Sequence, residues 1–382
     1  MNIQIFAYLT TFLFVVLLTD FLRRQALQAG LVDRPDARKR HVGAIPPVGG
    51  EAIFFGCLLC ALAIGVPPEQ VQALFTVGAL VMVLGALDDY QSFPPQARLL
   101  AQAAIAVMMA VFGGATIDSA GALAPGGRPL ELGAWSLPIT VVATVGVLNA
   151  FNLIDGMDGL SGSLALVALL GLAVLDGVAG HGALLPLMLV LISGVAAFLA
   201  LNMRSPWRWR ASVFLGDAGS TFVGFTLSWL IIRLSQGGDP ALSPVVGLWL
   251  LAVPLYDTGY LVCRRIARGR SPMAADRQHL HHFFLRAGFS VNQTLAIMVP
   301  AAVLLATLGV GGVLAGIGDR WLLAGFAAGF AVYCAGMTRA WKSHPRIRRR
   351  VIRRLRGSTV MPVVARSRAN LHRDWPEQPF AS

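Results

Sequence analysis

The apolar residues of this chain come in blocks of about twenty, the length a helix needs to cross the hydrocarbon layer of a bilayer. Backbone amides find no water there, so blocks of this kind cross as helices with every internal amide paired. Eleven spans follow, at about 3–22, 50–66, 71–88, 97–115, 135–151, 160–178, 183–201, 219–235, 243–263, 293–314 and 320–338. The chain reads as an all-α, polytopic integral membrane protein. Composition agrees: hydrophobic residues make up 56% of 382 and charged residues only 13%, against roughly 25% charged in soluble domains. A string of soluble domains is excluded. So is a disulfide scaffold, because Cys57, Cys60, Cys263 and Cys334 lie in or at the ends of apolar blocks. Cys57 and Cys60, three apart in one span, read as packing residues. The first span is not read as a cleaved leader, since Met1-Asn2-Ile3-Gln4 has no basic residue and Asp20, Arg23 and Arg24 follow the apolar run.

Basic residues predict the orientation. With the N-terminus outside, only Arg128, Arg233 and Arg320 of the 31 Lys and Arg fall on the outer side. Positive charge marks inner loops, so the N-terminus is placed out and the C-terminus in. The same distribution explains the formal net charge of +12 and excludes nucleic acid as the expected partner; the bilayer is the partner it implies. Residues 1–341 form the membrane domain and 342–382 a basic tail. In the tail, Ile347, Val351, Ile352 and Leu355 could make one apolar stripe among arginines, as an interfacial helix would.

Carboxylates are the informative minority. A charge in or beside a span is functional by default. Asp88 and Asp89 end span 3, Asp155 and Asp158 follow span 5 in the run Asn149 to Leu160, and Asp217 precedes span 8. All five, with Asn149 and Asn152, fall on one face of the membrane. Acids at helix C-termini are disfavoured by roughly 0.3–1 kcal/mol each, so a compensating cation is expected. A divalent cation with oxygen ligands fits, Mg²⁺ above all. Asn149, Asn152, Asp155 and Asp158 step by three, drifting about 180° in an unbroken helix, so the helix must unwind near Gly156 or Gly159 for all four to meet. Asp88 and Asp89 point about 100° apart and should differ in role. A solvated helix end would also explain this pair. Asp217 could cap span 8 or hold a metal or phosphate.

Three histidines, His279, His281 and His282, stand in an inner loop among Arg264, Arg265, Arg268, Arg270, Arg277 and Arg286. Zinc would want more ligands than this loop offers. Basic flanks suggest an anionic ligand such as a pyrophosphate, and a merely solvated loop is the plainer alternative. Asp257 reads equally as half of an internal ion pair or as support for the site, and Asp20 as the partner of Arg23 or Arg24. No role is inferred for Asp176.

At these residues the chain resembles the bacterial polyprenyl-phosphate N-acetylhexosamine-1-phosphate transferases, glycosyltransferase family 4. The resemblance rests on Leu87-Asp88-Asp89-Tyr90, the Asn149–Leu160 run, Phe214-Leu215-Gly216-Asp217-Ala218-Gly219-Ser220, Asp276–His282, and the early loop from Asp33 through His41 to Gly50. Together they span about residues 1–338 in family order. The resemblance implies transfer of N-acetylhexosamine-1-phosphate, GlcNAc-1-phosphate above all, from a UDP-sugar to polyprenyl (undecaprenyl) phosphate, releasing UMP, with Mg²⁺ or Mn²⁺. It also implies that Asn152 and Asp217 ligate the metal and that Asp88 or Asp89 engages the lipid phosphate. Asp155 and Asp158 would hold the nucleotide or order the site, the histidines 279, 281 and 282 would bind the diphosphate, and Asn149 and Lys39 would bind substrate. His279-Leu280-His281-His282 replaces the three consecutive histidines of the muramyl-pentapeptide branch and points to the simpler sugar-nucleotide branch. A bacterial inner membrane, with the site on its cytoplasmic face, is implied. The rival reading is a cation-coupled transporter, whose acids would sit at mid-membrane and whose halves would repeat. No repeat is evident. Small residues Gly325, Ala328 and Gly329 would permit helix contacts in a homodimer.

Overall fold

The computed structural model describes residues 2–33, 44–91, 93–273 and 278–357, with side chains between 5 and 343. Its helices are α1 Asn2–Ala29, α2 Gly49–Ala63, α3 Pro68–Gln91, α4 Pro95–Phe112, α5 Ser136–Ile154, α6 Leu160–Val178, α7 Leu185–Asn202, α8 Gly216–Ser235, α9 Pro244–Leu250, α10 Ala252–Ile266, α11 Leu280–Ala287, α12 Val291–Leu314 and α13 Asp319–Gly357. Among the described residues there is no strand, only isolated bridges. Among the described residues nine helices are long and apolar enough to cross a membrane, or ten if one bent pair is a single span, and α2, at 15 residues, is a shorter apolar helix.

One expected span is corrected. The block 243–263 is not one rod: α9 and α10 meet at Leu251 with a bend of 84°. Pro254 supplies the reason. It has no N–H to give the carbonyl of Leu250 and its ring crowds that turn, so α9 stops there. Beyond the break, α10 carries Asp257, Arg264 and Arg265, and with α9 it makes one bent apolar segment. α13 runs through residue 342 without interruption, so the tail opens as a continuation of the last helix. The stripe at Ile347–Leu355 and Lys39 lie outside the residues whose side chains are described.

α8 is the axis of the bundle, with 89% of its most apolar stretch buried. It reaches that position because its neighbours lack side chains where they cross it. A Cβ on Gly85 of α3 would fall on the Cα of Ala218, and one on Gly50 of α2 would fall on the Cα of Gly219. Phe54, Phe75 and Phe222 then pack edge to face between α2, α3 and α8, with centroids 5.1–5.4 Å apart for the Phe54 pairs. Cys57 is fully buried where α2 meets Gly194 of α7, as its packing reading required. The stripe on α13 is used inside the chain: Gly325 lies against Trp249 and Gly329 against Tyr256. Asp20 pairs with both Arg23 and Arg24 at 2.7 Å. At the end of α8 remote from Asp217, Gln236 accepts from the backbone N–H of Asp118 and Ser119 and tethers the 113–135 loop.

Candidate active site

The C-terminal ends of α3 and α5 and the N-terminal end of α8 meet at one end of the bundle, which collects the acids from three distant segments. Asn152 Nδ2 donates to Asp217 Oδ1 at 2.8 Å and to Ser220 Oγ at 3.1 Å. Gly216 makes the approach possible: at φ +79° it turns the chain into α8 with Pro47 O and Asp89 Oδ2 so close that a Cβ would meet them at 2.9 and 3.1 Å. The early loop is laid alongside, with Gly49 N–H donating to Phe214 O and Gly50 N–H to Leu215 O.

Asp88 and Asp89 do take different partners. Asp89 accepts from the N–H of Asp217 (3.0 Å) and more distantly from that of Ala218 (3.4 Å). It therefore caps α8 from another helix, leaving the Asp217 side chain to the site. Asp88 is buried, accepts from Phe93 N–H at 2.7 Å, and pairs with Arg98 at 3.0 Å. A plain solvated helix end does not describe buried Asp88; Asp89 is exposed but has its carboxylate on the start of α8.

α5 unwinds at Asp155, one residue before Gly156, and Gly159 at φ +79° starts α6. The four-residue run is thereby split. Asn149 turns to Gln102 of α4 at 2.6 Å, and Asn152 to Asp217. Asp158 is held by Arg204 at 2.7 Å and clamps the loop after α7. Asp155 has no hydrogen-bond partner among the described residues. Loss of water and the charges of Asp217, Asp89 and Asp158 push its pKa well above the usual carboxylate range.

The histidines adjoin this turn. His281 Nε2 lies 2.5 Å from where a Cβ on Gly156 would be, and both its ring nitrogens are buried with no hydrogen-bond partner among the described residues. Burial, reinforced by His282 and His279, drives its pKa well below the ordinary imidazole value. His279 stacks on His281 with centroids 5.5 Å apart, and His282 lies 4.2 Å from His281.

A small pocket lies beside Asp217. It is lined by Asp88, Arg98, Gln102, Asp217 and Thr221, with an apolar wall that includes Leu84, Ile105 and Leu148. Arg98 and Gln102 escaped the sequence reading, although each left a trace: Arg98 is a basic residue at the start of span 4, and Gln102 is a polar residue within the same apolar span. Among the described residues no three His, Cys, Asp or Glu side chains form a metal cage. The oxygen donors of Asp217, Asn152 and Asp155 instead suit a cation that takes one or two protein ligands and completes its shell from water and phosphate, as Mg²⁺ does.

Comparison with known proteins matches the glycosyl transferase family 4 model over residues 71–235. Among curated relatives, the undecaprenyl-phosphate alpha-N-acetylglucosaminyl 1-phosphate transferase of Escherichia coli K12 is 37% identical over 350 residues, covering 91% of this chain and 94% of the relative. The Salmonella typhi protein of that name is 38% identical over 356 residues, with 93% and 94% covered. That of Yersinia pestis is 36% identical over 341, with 89% and 91% covered. Nothing supports the transporter reading, since the acids gather at helix ends and these relatives are transferases. With its motifs in family order and this identity along nearly its whole length, the chain belongs to glycosyl transferase family 4, among the polyprenyl-phosphate N-acetylhexosamine-1-phosphate transferases.

Proposed function

We propose that the protein transfers GlcNAc-1-phosphate from UDP-GlcNAc to undecaprenyl phosphate, giving undecaprenyl-diphospho-GlcNAc and UMP, at the cytoplasmic face of a bacterial inner membrane. The contact between Asn152 of α5 and Asp217 of α8 carries this reading, because it brings oxygen ligands from two distant segments together beside a small polar pocket. The names of the relatives support the acceptor and the sugar.

A lipid-phosphate oxygen attacks the donor β-phosphorus, a new P–O bond forms, and the bond to the bridging oxygen breaks with its electron pair leaving on UMP. Such a transfer needs alignment and charge neutralisation more than covalent help. Lipid phosphate is already largely ionised near neutral pH (second pKa about 6), so little proton removal is required. The acceptor phosphate would approach Asp88, Arg98 and Gln102, where Arg98 would meet its charge and the neighbouring Leu84, Ile105 and Leu148 the first prenyl units. The donor diphosphate fits between Asp217 and the histidines 279, 281 and 282. Asp217, Asn152 and Asp155 would hold Mg²⁺, which when bound neutralises diphosphate charge and steadies the departing UMP.

Purified protein with radiolabelled UDP-sugars and undecaprenyl phosphate tests the proposal. UDP-GlcNAc should give labelled lipid and stoichiometric UMP, chelation should stop it, and Mg²⁺ or Mn²⁺ should restore it. Absence of labelled lipid with every UDP-N-acetylhexosamine would overturn it.

A further inference from the structure

Asp257 is buried on α10 just past the α9–α10 break, 1% exposed, and takes no part in the chemistry above. A buried carboxylate is costly unless its lone pairs are met, and here they are met from two other helices. His279 Nδ1–H donates to Oδ2 at 2.8 Å, while Leu280 N–H and Tyr333 Oη–H both donate to Oδ1 at 2.9 Å. The first two partners belong to the start of α11, and the third belongs to α13.

These bonds have a directional consequence. An imidazole that gives its Nδ1 proton to a carboxylate is fixed in tautomer and ring orientation, and only Nε2 is left to meet a ligand. His279, 4% exposed, stacks on His281, and His281 touches Gly156 beside Asp155. One carboxylate therefore sets both the orientation of His279 and the seat of α11 against the α5–α6 turn.

We propose that Asp257 is a positioning residue for the donor side of the site, acting through His279, with Tyr333 as the tie that brings the last membrane helix into the same arrangement. The inference rests on the transferase reading for what His279 holds. It does not depend on that reading for the link between Asp257 and His279.

A double-mutant cycle in the purified full-length protein tests it. Asp257→Asn should raise the KM for the UDP-sugar, or lower kcat/KM for it, at least tenfold, while the KM for undecaprenyl phosphate stays within twofold. His279→Gln should do the same, and Asp257→Asn should add less than twofold on the His279→Gln background. Tyr333→Phe, which removes one bond of three, should weaken donor use two- to fivefold and leave acceptor use alone; it also serves if Asp257→Asn does not fold. Multiplying penalties, or equal loss of donor and acceptor parameters, would overturn the proposal. If the wild-type protein released no UMP from any UDP-sugar, the transferase reading would fall. The link would then be judged by histidine ¹H–¹⁵N spectra: a downfield Nδ1–H resonance present in the wild type should vanish in both Asp257→Asn and His279→Gln. Its persistence in Asp257→Asn would sink the link.

Discussion

Asp217 and Asp155 illustrate opposite ways in which a carboxylate can be held ready. Asp217 is spared from capping its own helix because Asp89 supplies that cap, and its carboxylate faces Asn152. Replacing it by Asn removes a charged ligand but keeps the shape. The expected outcome of Asp217→Asn is loss of UMP release by about 10²-fold or more, with expression and melting temperature unchanged. Asp155 is crowded by acids, and its raised pKa means that the folded state holds its proton more tightly than the unfolded chain does. For such an acid, stability is intact below the unfolded carboxyl range and falls as pH rises out of it. Asp155→Asn should therefore melt roughly 2 °C or more higher than wild type at about pH 7.5, yet lose transferase activity. A variant that melted lower, with activity retained, would contradict both halves of that account.

Among the helices, α8 depends most on what its neighbours lack. Gly85 and Gly50 let α3 and α2 close onto its first turn, where Ala218 and Gly219 stand. A valine at either site has backbone, not a flexible side chain, in its way. Gly85→Val should cost about 1–3 kcal/mol and reduce activity together with stability, because the first turn of α8 carries Asp217. Thermal unfolding in detergent measures the cost. The α9–α10 bend makes a complementary point. Pro254 ends one apolar run, and α10, setting off at 84° to α9, brings Asp257 to the histidines.

For the whole molecule, the expected topology has a direct check. Trp207 is 93% exposed in the turn after α7, on the side that carries Asp158 and its Arg204 partner. A cysteine at position 207, with the four native cysteines replaced, should react with a membrane-impermeant maleimide in inverted vesicles and not in intact cells. Labelling in intact cells would reverse the predicted orientation.

Legible in the chain alone were the solvent the helices meet and the gathering of acids at one end of them. Apolar length, basic asymmetry and acids at span ends are one-dimensional quantities, because helices in a bilayer satisfy their own backbones. The partition of labour among those acids was not one-dimensional. Asn149 and Asn152 look alike in the chain, yet one faces Gln102 and the other Asp217; Asp88 and Asp89 are adjacent, yet one meets Arg98 and the other caps α8. Those choices follow from which helix crosses which, and at what distance. Glycines at crossings and a proline at a break decide that, through contacts between residues more than a hundred positions apart in the case of Asp89 and Asp217. The role of Asp257 stayed open for the same reason: its partners lie 22, 23 and 76 residues away and meet only when α10, α11 and α13 pack.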